Sequence, residues 1–265
     1  MTDTGAAPPL LIDRDGTIVR LRLNRPRRGN ALTPELLDAL CVALADCGDA
    51  RAVILTGEGR AFSSGGDIGE FHARTGDLAQ LEAYGDQLVS ALNRAILALR
   101  ALPCASIAAV NGPVTGGAIG LMLACDAVLM HRDAFIQPYY AKMGFAPDGG
   151  WTALMPERIG SARTGAWLAL DDRVSAVAAF EMGLVDRLAE AGSFDAALTD
   201  IITTLAAHDP AVATTSRRLL DARQGRDPLG DRLDRERAAF CDLLVRPETR
   251  SRMAAFLAPH REAVR

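Results

Sequence analysis

Apolar and polar residues alternate along "TIVRLRLN" (17–24), the period of a half-buried strand. The period then changes. In "LTPELLDALCVALAD" (32–46) leucines recur at helical spacing, Thr33 suits an N-cap and Pro34 suits the first helical position. "AVILTG" (52–57) and "CASIAAVNG" (104–112) are short apolar runs closed by glycine, which predicts buried strands. Residues 78–101 form a long amphipathic pattern stopped by Pro103. "GGAIGLMLACD" (116–126) predicts a helix opened by glycines, and "AVLMH" (127–131) a further strand. "GGWTALMPERIG" and "SARTGAWLAL" both predict helix. "VSAVAAFEMG" (174–183) predicts another, with Ser175 as N-cap and Gly183 as C-cap, and the short strand "LVDRL" follows. From about residue 194 only helical patterning remains, punctuated by Pro210, Pro228, Pro247 and Pro259.

Strands alternating with helices predict an α/β layer with crossover connections. The pattern divides the chain into an α/β core over 1–195 and a helical region over 196–265, a kind of tail that often serves oligomerisation. The 265 residues, 49 % apolar and 23 % charged, suffice for a sizeable core. A net charge of −4 argues against a nucleic-acid partner, which would call for a basic excess. Lys142 is the only lysine among 29 basic residues, a skew that fits a GC-rich bacterial genome.

Five scattered cysteines (Cys41, Cys47, Cys104, Cys125, Cys241) form no C-x-x-C pair. They suggest neither zinc nor a disulfide framework, and a reduced, cytoplasmic protein is the simplest account. The opening "MTDTGAAPPLLID" reads as a short arm rather than a signal peptide. No apolar run reaches the roughly 20 residues of a membrane helix.

Two glycine clusters each follow a buried strand: "AFSSGGDIGEF" (61–71) and "VNGPVTGGAIGL" (110–121). Each reads either as a tight turn or as a helix start whose backbone N–H groups face an anion or a developing oxyanion. Neither is G-x-G-x-x-G or a P-loop, so a nucleotide phosphate site loses support. One N–H from each loop can pinch a single carbonyl oxygen.

The ordered set "LNRPRRGNAL", "GRAFSSGGDIGEF", "SIAAVNGPVTGGAIGLMLACD", "FIQPYYAKMGFAPDGGW" and "VSAVAAFEMGLVD" resembles the enoyl-CoA hydratase/isomerase (crotonase) superfamily over about residues 10–190. The resemblance implies a ClpP/crotonase-like spiral of ββα units with a C-terminal helical trimerisation region. It also implies a homotrimer or a hexamer built as a dimer of trimers. The implied ligand is an acyl-CoA thioester, with no membrane or nucleic-acid partner, no metal and no separate cofactor, because coenzyme A enters as part of the substrate. By position, the family's two oxyanion donors fall on Gly66 and Gly117. The coenzyme A path falls on Arg27 and Arg28, which can pair with phosphates, and on Ala31, Ser64, Asp67 and Ile68. Arg27 and Arg28 read equally as a solvated basic loop, and Asp67 reads better as an N-cap than as a catalyst.

Hydration needs two acid/base groups, one for water and one for carbon. Hydratases of this family keep one glutamate three residues after the second oxyanion glycine, which here is Gly120. The other follows a Q-P dipeptide, which here is followed by Tyr139 and Tyr140. Both acids are absent. The remaining candidate is Asp148 in "MGFAPDGGW" (143–151). Pro-Asp-Gly is turn chemistry in its own right, ahead of a helix expected near Gly149. By resemblance, the same position holds the single acid of members that shift a double bond from the 3,4 to the 2,3 position. Ring-forming isomerases of aromatic acyl-CoA epoxides resemble the same pattern.

Tyr139 and Tyr140 read as pocket wall, with a hydroxyl available to substrate. Trp151 and Phe145 read as core or pocket wall, and Lys142, Glu70 and His72 as surface. His131, His208 and His260 have no motif around them. The leading expectation is an enoyl-CoA isomerase. The alternatives are a hydratase, an acyl-CoA hydrolase, or a silent acyl-CoA-binding homologue, and a serine hydrolase built on Ser63 or Ser64 ranks last.

Overall fold

β1 (Leu10–Asp15) and β2 (Ile18–Leu23) pair antiparallel around Gly16, whose φ of +56° suits glycine. The computed structural model describes residues 7–208, 210–221 and 228–258. Pro259, His260 and the first six residues of the expected N-terminal arm therefore lie outside the described residues. The rest of that arm differs from expectation, because Leu10–Asp15 is an edge strand with only Leu10 buried. One buried side chain in six carries almost no period-two signal.

Thr33 caps α1 (Pro34–Ala45) by accepting the Leu36 N–H. β3 (Ala52–Gly57) follows, then the short α2 (Ile68–His72) capped by Asp67, and α3 (Leu78–Arg100) capped by Asp77. β4 (Ala105–Val110) and β5 (Val114–Thr115) lead through a 3-10 turn at Gly116–Ala118 into α4 (Ile119–Ala124). Then come β6 (Ala127–His131), β7 (Phe135–Gln137), α5 (Tyr140–Met143), α6 (Met155–Ile159) and α7 (Ser161–Leu170). β8 (Val174–Ser175), α8 (Ala176–Glu181) and β9 (Arg187–Ala189) complete the α/β part. Ser175 caps α8 through the Ala178 N–H, as its position predicts. The last helices are α9 (Phe194–Ala207), α10 (Pro210–Asp221), α11 (Leu229–Leu244) and α12 (Pro247–Leu257).

The main sheet runs β1-β2-β3-β4-β6-β9 and is parallel from β2 onward. A second sheet, β5-β7-β8, is extended by single bridges Ser63–Val114 and Leu32–Gly66, so the two glycine loops belong to this second layer. This is the crotonase-like spiral that the resemblance implies. β3 and β4 are buried on both faces, which explains their unbroken apolar runs. Ile54, Ile107 and Leu129 pack on α9, while Val53, Leu55, Val110 and Val128 face the larger core under α1 and α3.

Two sequence expectations shift. "GGWTALMPERIG" forms a helix only over Met155–Ile159. Gly149 and Gly150 have φ of +57° and +87°, so the chain turns through them instead of starting a helix. The strand expected at "LVDRL" begins three residues later, at Arg187. Among the described residues no helix is long and apolar enough to cross a membrane.

The C-terminal helices return to the core. α11 lies against α3, where a Cβ on Gly85 would sit 2.2 Å from Leu244 Cδ2. Arg217 on α10 is buried, ion-paired with Asp126, and donates to the carbonyls of Arg100, Leu102 and Cys104. It thereby satisfies carbonyls where α3 ends. Arg217→Ala should lower unfolding free energy by roughly 3 kcal/mol, because it orphans those carbonyls and leaves the half-buried Asp126 carboxylate without its cation, held only by Ser106 among the described residues. Urea denaturation at neutral pH reads this, and a loss below about 1 kcal/mol, the worth of an exposed pair, contradicts it.

Candidate active site

The two glycine loops lie side by side because the backbone ties them. Phe62 and Ser63 N–H both donate to the Pro113 carbonyl, and Thr115 N–H donates to the Ser63 carbonyl. A Cβ on Gly65 (φ +81°) would sit 2.9 Å from the Thr115 oxygen, so a larger residue there would push the loops apart. The bridge to Leu32 uses the Gly65 carbonyl and the Asp67 N–H. That pattern leaves the Gly66 N–H out of the ladder. Gly117 lies at the start of its 3-10 turn, where N–H groups have no partner within the turn.

Both glycines line one cavity of about 250 Å³. Its walls are apolar: Ile68, Phe71, Leu88, Met143, Phe145 and Phe240 contribute, with Phe256 of α12 at one side. Asp148 is the only acidic residue lining it among the described residues. A Cβ on Gly117 would sit 2.6 Å from Asp148 Oδ1, which places the acid directly against this glycine.

Backbone contact holds Asp148 there. A Cβ on Gly149 would overlap the Gly117 carbonyl at 2.2 Å, and one on Gly120 would overlap the Gly149 carbonyl at 2.1 Å. Bare backbone thus meets bare backbone, and position 120 has no room for any side chain. Trp151 closes the arrangement by donating from its indole to the Gly116 carbonyl at 2.9 Å. Its ring is fully buried between Tyr140 and Trp167, so it is core and not cavity wall.

Tyr140 donates to Asp148 Oδ1 at 2.5 Å, a contact that sequence reasoning missed when it offered this hydroxyl to substrate. Oδ2 accepts no hydrogen bond among the described residues. Burial pushes the Asp148 carboxyl up to about 7, partly offset by the Tyr140 bond, while nearby Glu236 pushes it further up. Burial and the facing Asp148 charge hold the Tyr140 phenol well above its ordinary value, so the phenol keeps its proton.

Two further acids hold the turns that carry this pair. Asp171, buried in a left-handed conformation, accepts the N–H groups of Tyr139 and Lys142 at 2.6 and 2.9 Å. Tyr139 itself has φ +63°. Glu236 on α11 accepts from Gly150, Thr152 and Ala153. Neither acid has a local sequence signal, since each lies far along the chain from the turn it binds.

The remaining expected residues fall as follows. Ser64, Ile68, Tyr139 and Tyr140 line the cavity. Arg28, Ala31 and Asp67 do not. Asp67 accepts the Gly69 N–H and ion-pairs with Arg25 at 3.0 Å and Arg28 at 3.6 Å, so its contacts bind the loop to itself. Ala31 is buried, and its carbonyl accepts from Arg25. Glu70 pairs with Arg74 away from the cavity. Among the described residues no three His, Cys, Asp or Glu side chains gather as a metal site.

A crotonase-like spiral whose two glycine loops frame an apolar cavity with one buried acid defines the class of protein. The chain belongs to the enoyl-CoA hydratase/isomerase family, whose sequence profile matches residues 13–261. A probable enoyl-CoA hydratase of Rhodobacter capsulatus is 34 % identical over 62 % of this chain and 62 % of its own length. The chain thus spans a little under two thirds of the curated relatives it matches first. Among solved structures, an enoyl-CoA hydratase from Mycobacterium avium subsp. paratuberculosis is 26 % identical with a TM-score of 0.84, covering 94 % of this chain and 99 % of that one. A monofunctional enoyl-CoA isomerase from M. smegmatis is 28 % identical with a TM-score of 0.67, covering 81 % and 92 %.

A carboxyl raised from 3.8 to about 7 makes stability depend on pH. The folded protein holds this proton more tightly than the unfolded chain. Its contribution is therefore fully present below about pH 4 and is lost as pH rises through about 7. Asp148→Asn should remove that dependence, so wild type should lose on the order of 4 kcal/mol relative to the variant between pH 4 and 8. Denaturant unfolding of both proteins across this range measures it, and parallel curves contradict it.

Proposed function

We propose that this protein isomerises an enoyl-CoA thioester, moving the double bond from the 3,4 to the 2,3 position, with Asp148 as the single acid/base. The observation that carries the reading is the carboxylate inventory. Asp148 is the one acid on the cavity among the described residues, and it touches Gly117. The two positions where hydratases of the family keep glutamates hold Gly120, packed against backbone, and Tyr139.

The α-proton of a thioester does not leave at neutral pH unless the enolate is stabilised. The Gly66 and Gly117 N–H groups donate to the thioester oxygen as it gains charge, each contributing roughly 2.7–4 kcal/mol in a dry site. Asp148 Oδ2 takes the proton from C2, the C2 electron pair becomes the enolate, and the 3,4 double bond moves into conjugation. The same carboxyl returns the proton to C4, and the 2,3 double bond forms as the enolate collapses. No atom is gained or lost, and no water is consumed. A carboxyl near 7 suits both steps, because it is basic enough to take the proton and acidic enough to release it. Coenzyme A is carried by the substrate, its phosphates facing the exposed Arg27 and Arg28 loop.

The apolar surface of the C-terminal part supports self-association, and the family resemblance makes the assembly a homotrimer or a dimer of trimers. Val212, Leu219 and Leu220 on α10 and Phe256 and Leu257 on α12 are exposed. Sedimentation equilibrium should give three or six copies per particle, and a monomer at micromolar concentration contradicts this.

Asp148→Asn should reduce conversion of 3-enoyl-CoA to 2-enoyl-CoA by at least ~10³-fold while leaving thioester affinity within a few-fold. In wild type the acid limb of kcat/KM should fall near pH 7, where the base becomes protonated. Steady-state kinetics with a binding titration tests both, and unchanged turnover in the variant contradicts the assignment.

A further inference from the structure

We propose that Glu236, a buried acid on α11 far along the chain, is a positioning residue that fixes the turn carrying Asp148 and sets the field in which Asp148 exchanges its proton. The inference deepens the isomerase reading and rests on it.

Glu236 sits in "DRLDRERAAFCDLL", a run rich in charge that reads as a solvated helix face. It is instead only 4 % exposed. Its Oε2 accepts the Gly150 N–H at 2.7 Å. Its Oε1 accepts the Thr152 N–H at 2.5 Å, the Thr152 hydroxyl at 2.7 Å and the Ala153 N–H at 2.9 Å. The turn needs these bonds. Gly149 and Gly150 have positive φ, no helix begins until Met155, and the buried N–H groups of 150 and 153 must find acceptors, with the part-buried N–H of Thr152 sharing the same carboxylate.

Only a carboxylate accepts on both oxygens. A glutamine at 236 would keep one acceptor and point an NH₂ at another donor. With Oε1 retained toward Thr152 and Ala153, the conflict falls on Gly150, two residues from Asp148. Burial raises the Glu236 carboxyl, and its bonds from Thr152, Gly150 and Ala153 oppose that rise by favouring the carboxylate. In that form it raises the proton affinity of Asp148, opposing the Tyr140 bond, which lowers it. These two are the titratable side chains that bear on Asp148. On the same helix Arg232 is engaged with the Ala153 carbonyl and Glu157, and Arg237 with Asp86 and Asp234, so neither neutralises Glu236 directly.

The test uses the 265-residue chain as wild type, Asp148→Asn, Glu236→Gln and Thr152→Val. Two readouts are taken: the pH profile of 3-enoyl-CoA isomerisation, and the titration of the Asp148 carboxyl in ligand-free protein. The titration follows the ¹³C carboxyl resonance, identified by its loss in Asp148→Asn. Glu236→Gln should lower kcat by about 10²-fold, the scale of a misplaced catalytic group, with KM within about twofold. It should also move the Asp148 titration and the acid limb to lower pH, because a like charge has been removed. A folded Glu236→Gln protein with wild-type rate or wild-type titration overturns the proposal. Should that variant fail to fold, Thr152→Val removes one donor. It should give a smaller fall in kcat at unchanged KM, and an unchanged kcat overturns the proposal. An active Asp148→Asn protein overturns the isomerase reading and this one with it. An inactive Asp148→Asn beside an unaltered Glu236→Gln overturns the role of Glu236 alone.

Discussion

The site depends on one packing constraint, the direct contact between the backbone at Gly117–Gly120 and the backbone at Gly149. A Cβ at 117, 120 or 149 would come within 2.6 Å of an atom on the opposing segment. Glycine at all three lets a helix start and a turn approach to van der Waals contact. Asp148 then has nowhere to go except beside Gly117, and the same contact fills the space a hydratase glutamate at 120 would occupy. One constraint thus places Asp148 against Gly117 and leaves position 120 without room for a side chain.

A buried carboxylate beside a helix start is unstable unless something holds it. Tyr140 supplies the direct bond at 2.5 Å, and Asp171 and Glu236 fix the turns on either side. Burial works in the opposite direction by favouring the neutral acid. The balance leaves Asp148 near neutrality, where one group can serve as both base and acid. The apolar wall formed by Phe71, Phe145 and Phe240 keeps the dielectric low, and in such surroundings both the N–H donors and the acid act more strongly than in water. Phe240 and Phe256 come from α11 and α12, so the pocket is finished by the helical region.

Much of this was legible in the sequence, for physical reasons. β3 and β4 announced themselves because strands covered on both faces are continuously apolar, and the caps at Thr33, Asp67 and Ser175 because side-chain oxygens there meet orphan N–H groups. The glycine loops were legible because close backbone approach admits few residue types; Asp148 was singled out by family resemblance, since its own Pro-Asp-Gly pattern spells only a turn, and it does line the cavity. β1 escaped because an edge strand buries little. The helix expected at Gly149 does not form: Gly149 and Gly150 have positive φ, and Gly149 packs against the backbone of Gly117, thirty-two positions away, which no local pattern encodes. Tyr140, Asp171 and Glu236 were illegible as a set: their partners lie 8, 29–34 and 83–86 residues off, and no local pattern encodes such distances.

The central claim is geometric: one acid reaches both ends of the migrating double bond while two backbone donors hold the thioester oxygen. A crystal structure with a stable 3-enoyl-CoA analogue measures it most directly. The account predicts Gly66 and Gly117 nitrogens about 2.7–3.1 Å from the thioester oxygen, and an Asp148 oxygen about 3–3.5 Å from both C2 and C4. A thioester oxygen outside the two glycine loops, or an Asp148 carboxylate turned away from the acyl chain, would contradict it.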